Sequence, residues 1–419
     1  MQESAKESNY YRQMSDLTNY NPSQREAVTF GEGPLLVLAG PGSGKTFTIT
    51  QRILYLIHEK QIPPQKLLVI TFTREAAVSM RQRFLQISPQ HTTVNFGTFH
   101  SFFYQILLRS GRVSPGNILN EKQKKELIYP VLKKIKAHNA LSATDLPELA
   151  KNLLTAIGYY KNTGDLQSSM DRLPEEWKND FAQVYSGYEE ARKRIRGLDF
   201  DDMLKECEEL LQKDDALRIY WQNLFSYILI DEFQDINYRQ YCIVRLLAQK
   251  HKNVFAVGDD DQAIYGFRGA KPACMKQFVQ EFGAKQIILS TNYRSHQDIV
   301  EASLAVIAEN SDRFPKNLEP CEANRRHLGK MDKKNYHVRI REFSGAKEQL
   351  QFLMRQLKDR TEGETYGILF RTNLAMQSVA ASLTREGIPF SIKEHGKNIY
   401  DHFIVQDILA YLRIAQGTA

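Results

Sequence analysis

Cysteine is scarce in this 419-residue chain: Cys207, Cys242, Cys274 and Cys321 are the only four, at least 32 residues apart. No Cys-x-x-Cys pair exists, which excludes a zinc ribbon or a thiol–disulfide motif and suits the reduced thiols of a cytoplasmic protein. Long hydrophobic runs are also missing. The longest, such as Leu35–Ala39 and Tyr227–Ile230, fall far short of the roughly 18 residues that span a bilayer, so no membrane partner is expected. The first residues, Met-Gln-Glu-Ser-Ala-Lys, have no apolar centre, which argues against a secretory leader. There is no internal repeat and no low-complexity tract. Neither sign of charge dominates: 56 basic residues face 49 acidic ones, and the net +7 permits a polyanionic partner without demanding one.

With 42% hydrophobic and 25% charged residues the chain has ordinary globular usage. At about 150 residues per domain it should form two to four domains. Short apolar runs at 35–38, 67–71, 227–230, 254–257, 287–289 and 367–370 read as fully buried strands. Helical patterns separate many of them, which predicts parallel sheets covered on both faces. Residues 104–196 break that rhythm with long helical periodicity: Ile128, Val131, Leu132 and Ile135, then Leu149, Leu153, Leu154 and Ile157. Pro130 falls inside the first pattern, so that helix should kink or start there. Residues 1–20 read as loose and residues 311–337 as a long loop. The expected organisation is a first α/β domain over 1–103 and 197–280, a helical insertion over 104–196, and a second α/β unit over 281–419. Two basic clusters stand out: Lys122, Lys124, Lys125, Lys133, Lys134 and Lys136, then Arg192-Lys193-Arg194-Ile195-Arg196. Each alone reads as a solvated helix face; nucleic acid becomes the better reading beside a motor motif.

Ala39-Gly40-Pro41-Gly42-Ser43-Gly44-Lys45-Thr46 follows the first apolar run and opens a helical pattern. In a phosphate-binding loop the glycines let backbone N–H groups wrap phosphates at a helix N-terminus. Lys45 is placed for the β- and γ-phosphates, and the Thr46 hydroxyl for Mg²⁺. Ala39 stands where the strict pattern has its first glycine. The complementary acidic pair ends another strand, in Tyr227-Ile228-Leu229-Ile230-Asp231-Glu232. Asp231 belongs in the Mg²⁺ shell, and Glu232 is the base that orients and deprotonates the attacking water, a role worth roughly 10²–10⁴-fold. Together they predict a Mg²⁺-dependent NTPase.

Further segments occur in order along the chain. Residues 17–28 read Leu-Thr-Asn-Tyr-Asn-Pro-Ser-Gln-Arg-Glu-Ala-Val, and Thr71-Phe72-Thr73-Arg74-Glu75-Ala76-Ala77 and Gly97-Thr98-Phe99-His100-Ser101 follow. Then come Asp231-Glu232-Phe233-Gln234-Asp235, residues 258–270 (Gly-Asp-Asp-Asp-Gln-Ala-Ile-Tyr-Gly-Phe-Arg-Gly-Ala) and Asn292-Tyr293-Arg294-Ser295. On these motifs the chain resembles the UvrD/Rep/PcrA-type DNA helicases of superfamily 1, from about residue 17 to its end. The resemblance implies a RecA-like P-loop NTPase motor domain with a helical insertion, followed by part of a second RecA-like domain. It implies an ATP-dependent DNA helicase or translocase that tracks single-stranded DNA, 3′-to-5′, with single/double-strand junctions as substrates and ATP and Mg²⁺ as cofactors.

The roles it implies are specific. Gln24 reads adenine, whose edge suits an amide that donates and accepts together. Gly40, Pro41, Gly42, Ser43, Gly44, Lys45, Thr46 and Phe47 line the nucleotide, and Tyr293 stacks on the base. Gln262 senses the γ-phosphate, and Arg294 reaches it from the second domain. Phe72, Thr73, Thr98, His100, Tyr265, Phe267 and Arg268 contact DNA. The aromatics among them follow strands, at the carboxyl edge where α/β sheets bind ligands. Stacking there is worth about 1–3 kcal/mol per base and tolerates any sequence. Asp199-Phe200-Asp201-Asp202 matches another family signature, although carboxylates there also suit helix caps.

Phe47 replaces an arginine common in relatives, and Phe267 a tryptophan, so base recognition should be looser and one DNA platform smaller. The family's later motifs, including a second arginine for the γ-phosphate, do not appear before Ala419. A fragment with slow turnover is therefore expected, the alternative being a nucleotide-dependent single-strand-binding or regulatory module without unwinding. Gln24, Gln262 and Arg294 argue against a nucleotide kinase.

Overall fold

The apolar runs do become strands. β1 (Leu35–Ala39), β2 (Leu67–Thr71), β3 (Asn95–Thr98), β4 (Tyr227–Ile230), β5 (Val254–Gly258) and β6 (Lys285–Leu289) form one sheet in the computed structural model. Their order is β3-β2-β4-β5-β1-β6, and every pairing is parallel. The structure describes residues 20–135, 146–325, 338–361, 363–392 and 403–416. The readings of residues 1–19, of 326–337 and of Lys136 lie outside these.

Alternate residues of the central strands enter two different cores, which is why their sequences are apolar without interruption. Leu36, Leu38, Leu68, Ile70, Ile228 and Ile230 pack with helices Phe99–Arg109, Phe200–Lys213 and Tyr238–Ala248. Leu35, Val37, Leu67, Val69 and Leu229 face the other way, against helices Lys45–His58 and Arg74–Ile87. β3 escapes sequence detection because its Asn-Phe-Gly-Thr run lies at the sheet edge and is only partly covered.

β6 pairs with β1, with Leu38 opposite Ile288, and the chain packs as two compact units that divide between Val338 and Arg339. An open edge beside β1 takes up the next apolar run. One expectation is corrected: the stretch 367–370 is not a strand. Ile368 and Phe370 lean on a small helical cluster while Leu369 is 97% exposed, and no partner strand is present among the described residues. The second unit, from Arg339, contains helices Ala346–Lys358, Asn373–Arg385 and Phe403–Ala415.

Between β3 and β4 the described residues are helical and carry a separate core of Ile128, Leu132, Leu153, Ile157, Trp177 and Tyr188. Helix Glu121–Ile135 contains Pro130 in its interior and does not start there. The chain enters and leaves this region side by side, through a bridge between Ile118 and Leu198. Asp199 caps helix Phe200–Lys213 by accepting from the Asp202 N–H at 2.7 Å. Both carboxylates also bind the buried Lys161 ammonium at 2.8 Å, and Glu189 binds it at 2.7 Å. Arg192, from the second basic cluster, is buried and paired with Glu189 and Asp202, so it is neither a solvated face nor a nucleic-acid contact.

Candidate nucleotide and nucleic-acid site

β1 ends at Ala39 and helix Lys45–His58 begins after five intervening residues. The tight return is made by Gly42 and Gly44, at φ +69° and +90°, a region that L side chains avoid. Ser43 donates from its hydroxyl to the Gly40 carbonyl at 2.8 Å and closes the loop. The Lys45 ammonium lies 3.2 Å from Glu232 Oε2 in an ion pair that lacks hydrogen-bond alignment, and it is otherwise buried without an acceptor. A buried ammonium at the head of a glycine loop is what a phosphate oxygen would satisfy.

At the end of β4 the backbone turns abruptly, with Glu232 in the left-handed region at φ +51°. Such a conformation costs a β-carbon residue of order 1 kcal/mol and clusters at functional sites. Burial, then the neighbouring Glu232 carboxylate, push the Asp231 carboxyl up to about 6. The same two causes, in the same order, raise Asp235 to about 6. Three carboxyls thus face one ammonium, an excess that a divalent cation fits. Asp231, with the Thr46 hydroxyl at the head of the P-loop helix, would hold it.

β5 lies between β1 and β4 in the sheet, so the loop after it sits between the P-loop and the acidic pair. Gln234 joins the two acidic loops: its Nε2 donates to Glu232 Oε2 at 2.9 Å, and its Oε1 accepts from the Asp259 N–H at 2.9 Å. Gln262 donates its side-chain amide to Asp259.

On the other flank, Gln24 donates to the Ser43 carbonyl at 3.2 Å and forms a capping box with Asn21. It is buried, and half of its amide capacity is already committed. Arg52 fixes that helix by donating to the carbonyls of Val28 and Gly31, both at 2.9 Å, and of Phe30. Phe47 and Tyr20 place their rings 5.5 Å apart, and Asn21 donates to the Tyr293 hydroxyl at 2.9 Å. Beyond the strands, Phe72, Tyr265 and Phe267 form a row with ring centroids 5.0 and 6.0 Å apart. Phe267 is 54% exposed.

Residues 20–283 match the UvrD/REP helicase N-terminal domain, and residues 287–417 match the UvrD-like helicase C-terminal domain. The chain belongs to the UvrD/REP helicase family. Among its relatives is YjcD of Bacillus subtilis, 35% identical over 95% of this chain and 52% of YjcD. The ATP-dependent DNA helicase PcrA of Staphylococcus epidermidis is 36% identical, over 94% of this chain and 54% of PcrA. PcrA of Staphylococcus aureus is 35% identical, over 95% and 54%. The chain thus spans about half the length of the curated relatives it matches.

In this UvrD-family chain Lys45, Asp231, Glu232 and Gln262 do converge at the carboxyl edge of one sheet, and Gln24, Phe47 and Tyr293 gather beside the P-loop helix. Arg294 stands against the P-loop, its Cβ 2.6 Å from where a Cβ on Gly42 would lie. His100 packs edge-on against Phe200 with centroids 5.3 Å apart, and burial holds its imidazole below the usual range. Thr73 and Thr98 each cap a helix, accepting from the N–H groups of Ala76 and Ser101. Arg268 lies in the short turn Gly266–Arg268, and its side chain falls outside the described residues. Sequence reasoning quoted Gln234 and Asn292 within their motifs without giving either a role, and passed over Arg313, Lys316 and Leu318. Gln234 had a signal in its fixed place after the acidic pair; the last three lie in a stretch without periodicity.

Proposed function

We propose that the chain is the ATP-binding, DNA-tracking part of a helicase that moves 3′-to-5′ on single-stranded DNA and acts at single/double-strand junctions in the cytoplasm. The observation that carries this reading is the adjacency of two sites on one sheet edge. The phosphate-loop ammonium and the acidic pair flank the loop after β5, which carries Tyr265 and Phe267, and Phe72 from the end of β2 packs beside Tyr265. Gly40–Thr46 would cradle the triphosphate, with Gln24, Phe47 and Tyr293 around the base and Arg294 beside the loop. Magnesium, when bound, neutralises phosphate charge, and Thr46 and Asp231 are the residues to hold it. Glu232 orients the attacking water and takes its proton at a carboxylate oxygen. Gln262 links the end of β5 to the aromatic row that follows it in sequence. Thr73, Thr98, His100 and Arg268 complete the set of residues assigned to DNA.

The test is ATP hydrolysis by the full-length protein with and without single-stranded DNA. Glu232→Gln should keep Mg-ATP and DNA binding while hydrolysis falls by about 10²-fold or more. Phe72→Ala or Phe267→Ala should weaken single-strand binding by about 1–3 kcal/mol and leave DNA-free ATP affinity unchanged. Binding should also weaken steeply with salt as counterions are released. Nucleotide-dependent DNA binding without turnover would favour a regulatory module over a motor.

A further inference from the structure

The three aspartates after β5, one buried and two partly exposed, are already paired with cationic and N–H groups. The segment 313–316 holds all of them. Arg313 grips Asp261 with two bonds of 2.8 and 2.6 Å, and the Phe314 N–H donates to Asp260 at 2.7 Å. The Lys316 side chain is fully buried, and its ammonium binds Asp259 and Asp260 and lies 3.1 Å from Asp261. Asp259 is the junction of the nucleotide site, since Gln262 donates to its carboxylate and Gln234 joins its N–H to Glu232.

Two residues further on, the same segment reaches the P-loop. A Cβ on Gly40 would lie 2.5 Å from a Leu318 methyl, so only glycine leaves room for that side chain. Residues 319–321 then bond along 290–292, through Glu319 N–H to the Ser290 carbonyl and Cys321 N–H to the Asn292 carbonyl, both at 2.8 Å. Asn292 in turn donates to the Pro41 carbonyl at 2.7 Å.

We propose that residues 313–321 are a strap that locks the γ-phosphate-sensing loop to the P-loop, with Lys316 as the positioning residue that holds Asp259 and, through it, the Gln262 amide. A lysine fully buried among three carboxylates on a loop is a poor choice for stability alone, because an apolar core would serve as well. It does fix a carboxylate that must present one oxygen to a glutamine and keep its backbone N–H on another. The inference rests on the nucleotide reading above for its consequence, though not for its geometry.

Hydrogen exchange separates the two. In Lys316→Met the amides of 259–262 and of 40–44 should exchange about tenfold faster or more, while those of β2 and β4 keep their protection. Unchanged exchange at 259–262 overturns the strap, and equal acceleration throughout the sheet assigns Lys316 to general stability instead. In the full-length protein the same variant should lower kcat for DNA-stimulated ATP hydrolysis by about tenfold with KM for ATP nearly unchanged, and Lys316→Arg should restore part of it. An unaltered kcat overturns the positioning role. If Lys316→Met does not fold, Arg313→Ala frees only Asp261 and should reproduce the exchange pattern at smaller amplitude; no change there also overturns the strap. If the unsubstituted protein binds no nucleotide, the functional reading fails while the exchange data still judge the strap.

Discussion

Asp231 shows what a buried carboxylate beside another carboxylate costs a protein at rest. Its folded pKa of about 6 lies above the unfolded value near 3.8, so the native state holds the proton longer. The contribution to stability is therefore present below about pH 4 and lost as pH rises through about 6. With one pKa unit equal to about 1.4 kcal/mol, ionised Asp231 destabilises the ligand-free protein at pH 7.5 by about 2–3 kcal/mol. Asp231→Asn should accordingly raise denaturation stability by about 1–3 kcal/mol at pH 7.5, and by progressively less towards pH 5. A gain independent of pH would contradict this account. The same protonation blocks metal ligation, so Mg-nucleotide affinity, read by calorimetry, should fall as pH is lowered from 7.5 to 5.5. Affinity that held constant over that range would place the cation on other ligands.

Helix Glu121–Ile135 carries its own penalty, because Pro130 sits in its interior on the exposed side. Proline removes one helical hydrogen bond and crowds the carbonyl four residues earlier, at a cost of about 3 kcal/mol. Pro130→Ala should therefore stabilise the insertion by about 1–3 kcal/mol, visible as a higher denaturation midpoint. A lower midpoint would mean that the ring packs on something that alanine cannot replace. The junction of helices Leu146–Thr163, Phe181–Arg194 and Phe200–Lys213 behaves oppositely. Lys161 binds Glu189, Asp199 and Asp202 there, and the arrangement is buried. Lys161→Met leaves carboxylates buried without their cation and should cost about 3–5 kcal/mol. A near-neutral effect in urea unfolding would show that water reaches the cluster.

The two units differ sharply in what they bury. Among the described residues from 339 onwards the buried apolar side chains are Leu357, Val379 and Leu383, whereas the sheet of the first unit is sandwiched between two large cores. Three buried side chains stabilise by about 1.5–3 kcal/mol each, against an ordering cost of about 1–2 kcal/mol for every residue. Limited proteolysis of the chain should cut first within 339–416 and leave a fragment resistant over 20–325. Early cleavage inside the sheet domain would refute that ranking. Exposed Leu369, Leu374 and Tyr411 belong to the same thinly covered unit.

The amino-acid sequence alone determined whatever depends on local pattern. Continuous apolar runs marked five of the six strands, since each strand is covered on both faces or, at β6, packed against its neighbour. Gly42, Gly44 and Lys45 revealed the phosphate loop because the required backbone permits few residues, and Asp231-Glu232 stood out at a strand end. Only the tertiary structure decided that β6 joins the sheet beside β1, because a parallel sheet accepts any neighbour that offers the right register. It also decided that Arg192 is buried and that Arg294 lies beside Gly42. The contacts of Lys316 and Leu318 were invisible in the sequence for one physical reason. Their partners, Asp259–Asp261 and Gly40, lie more than 50 residues away, and a loop held by distant charges and a single close approach leaves no period in its own sequence.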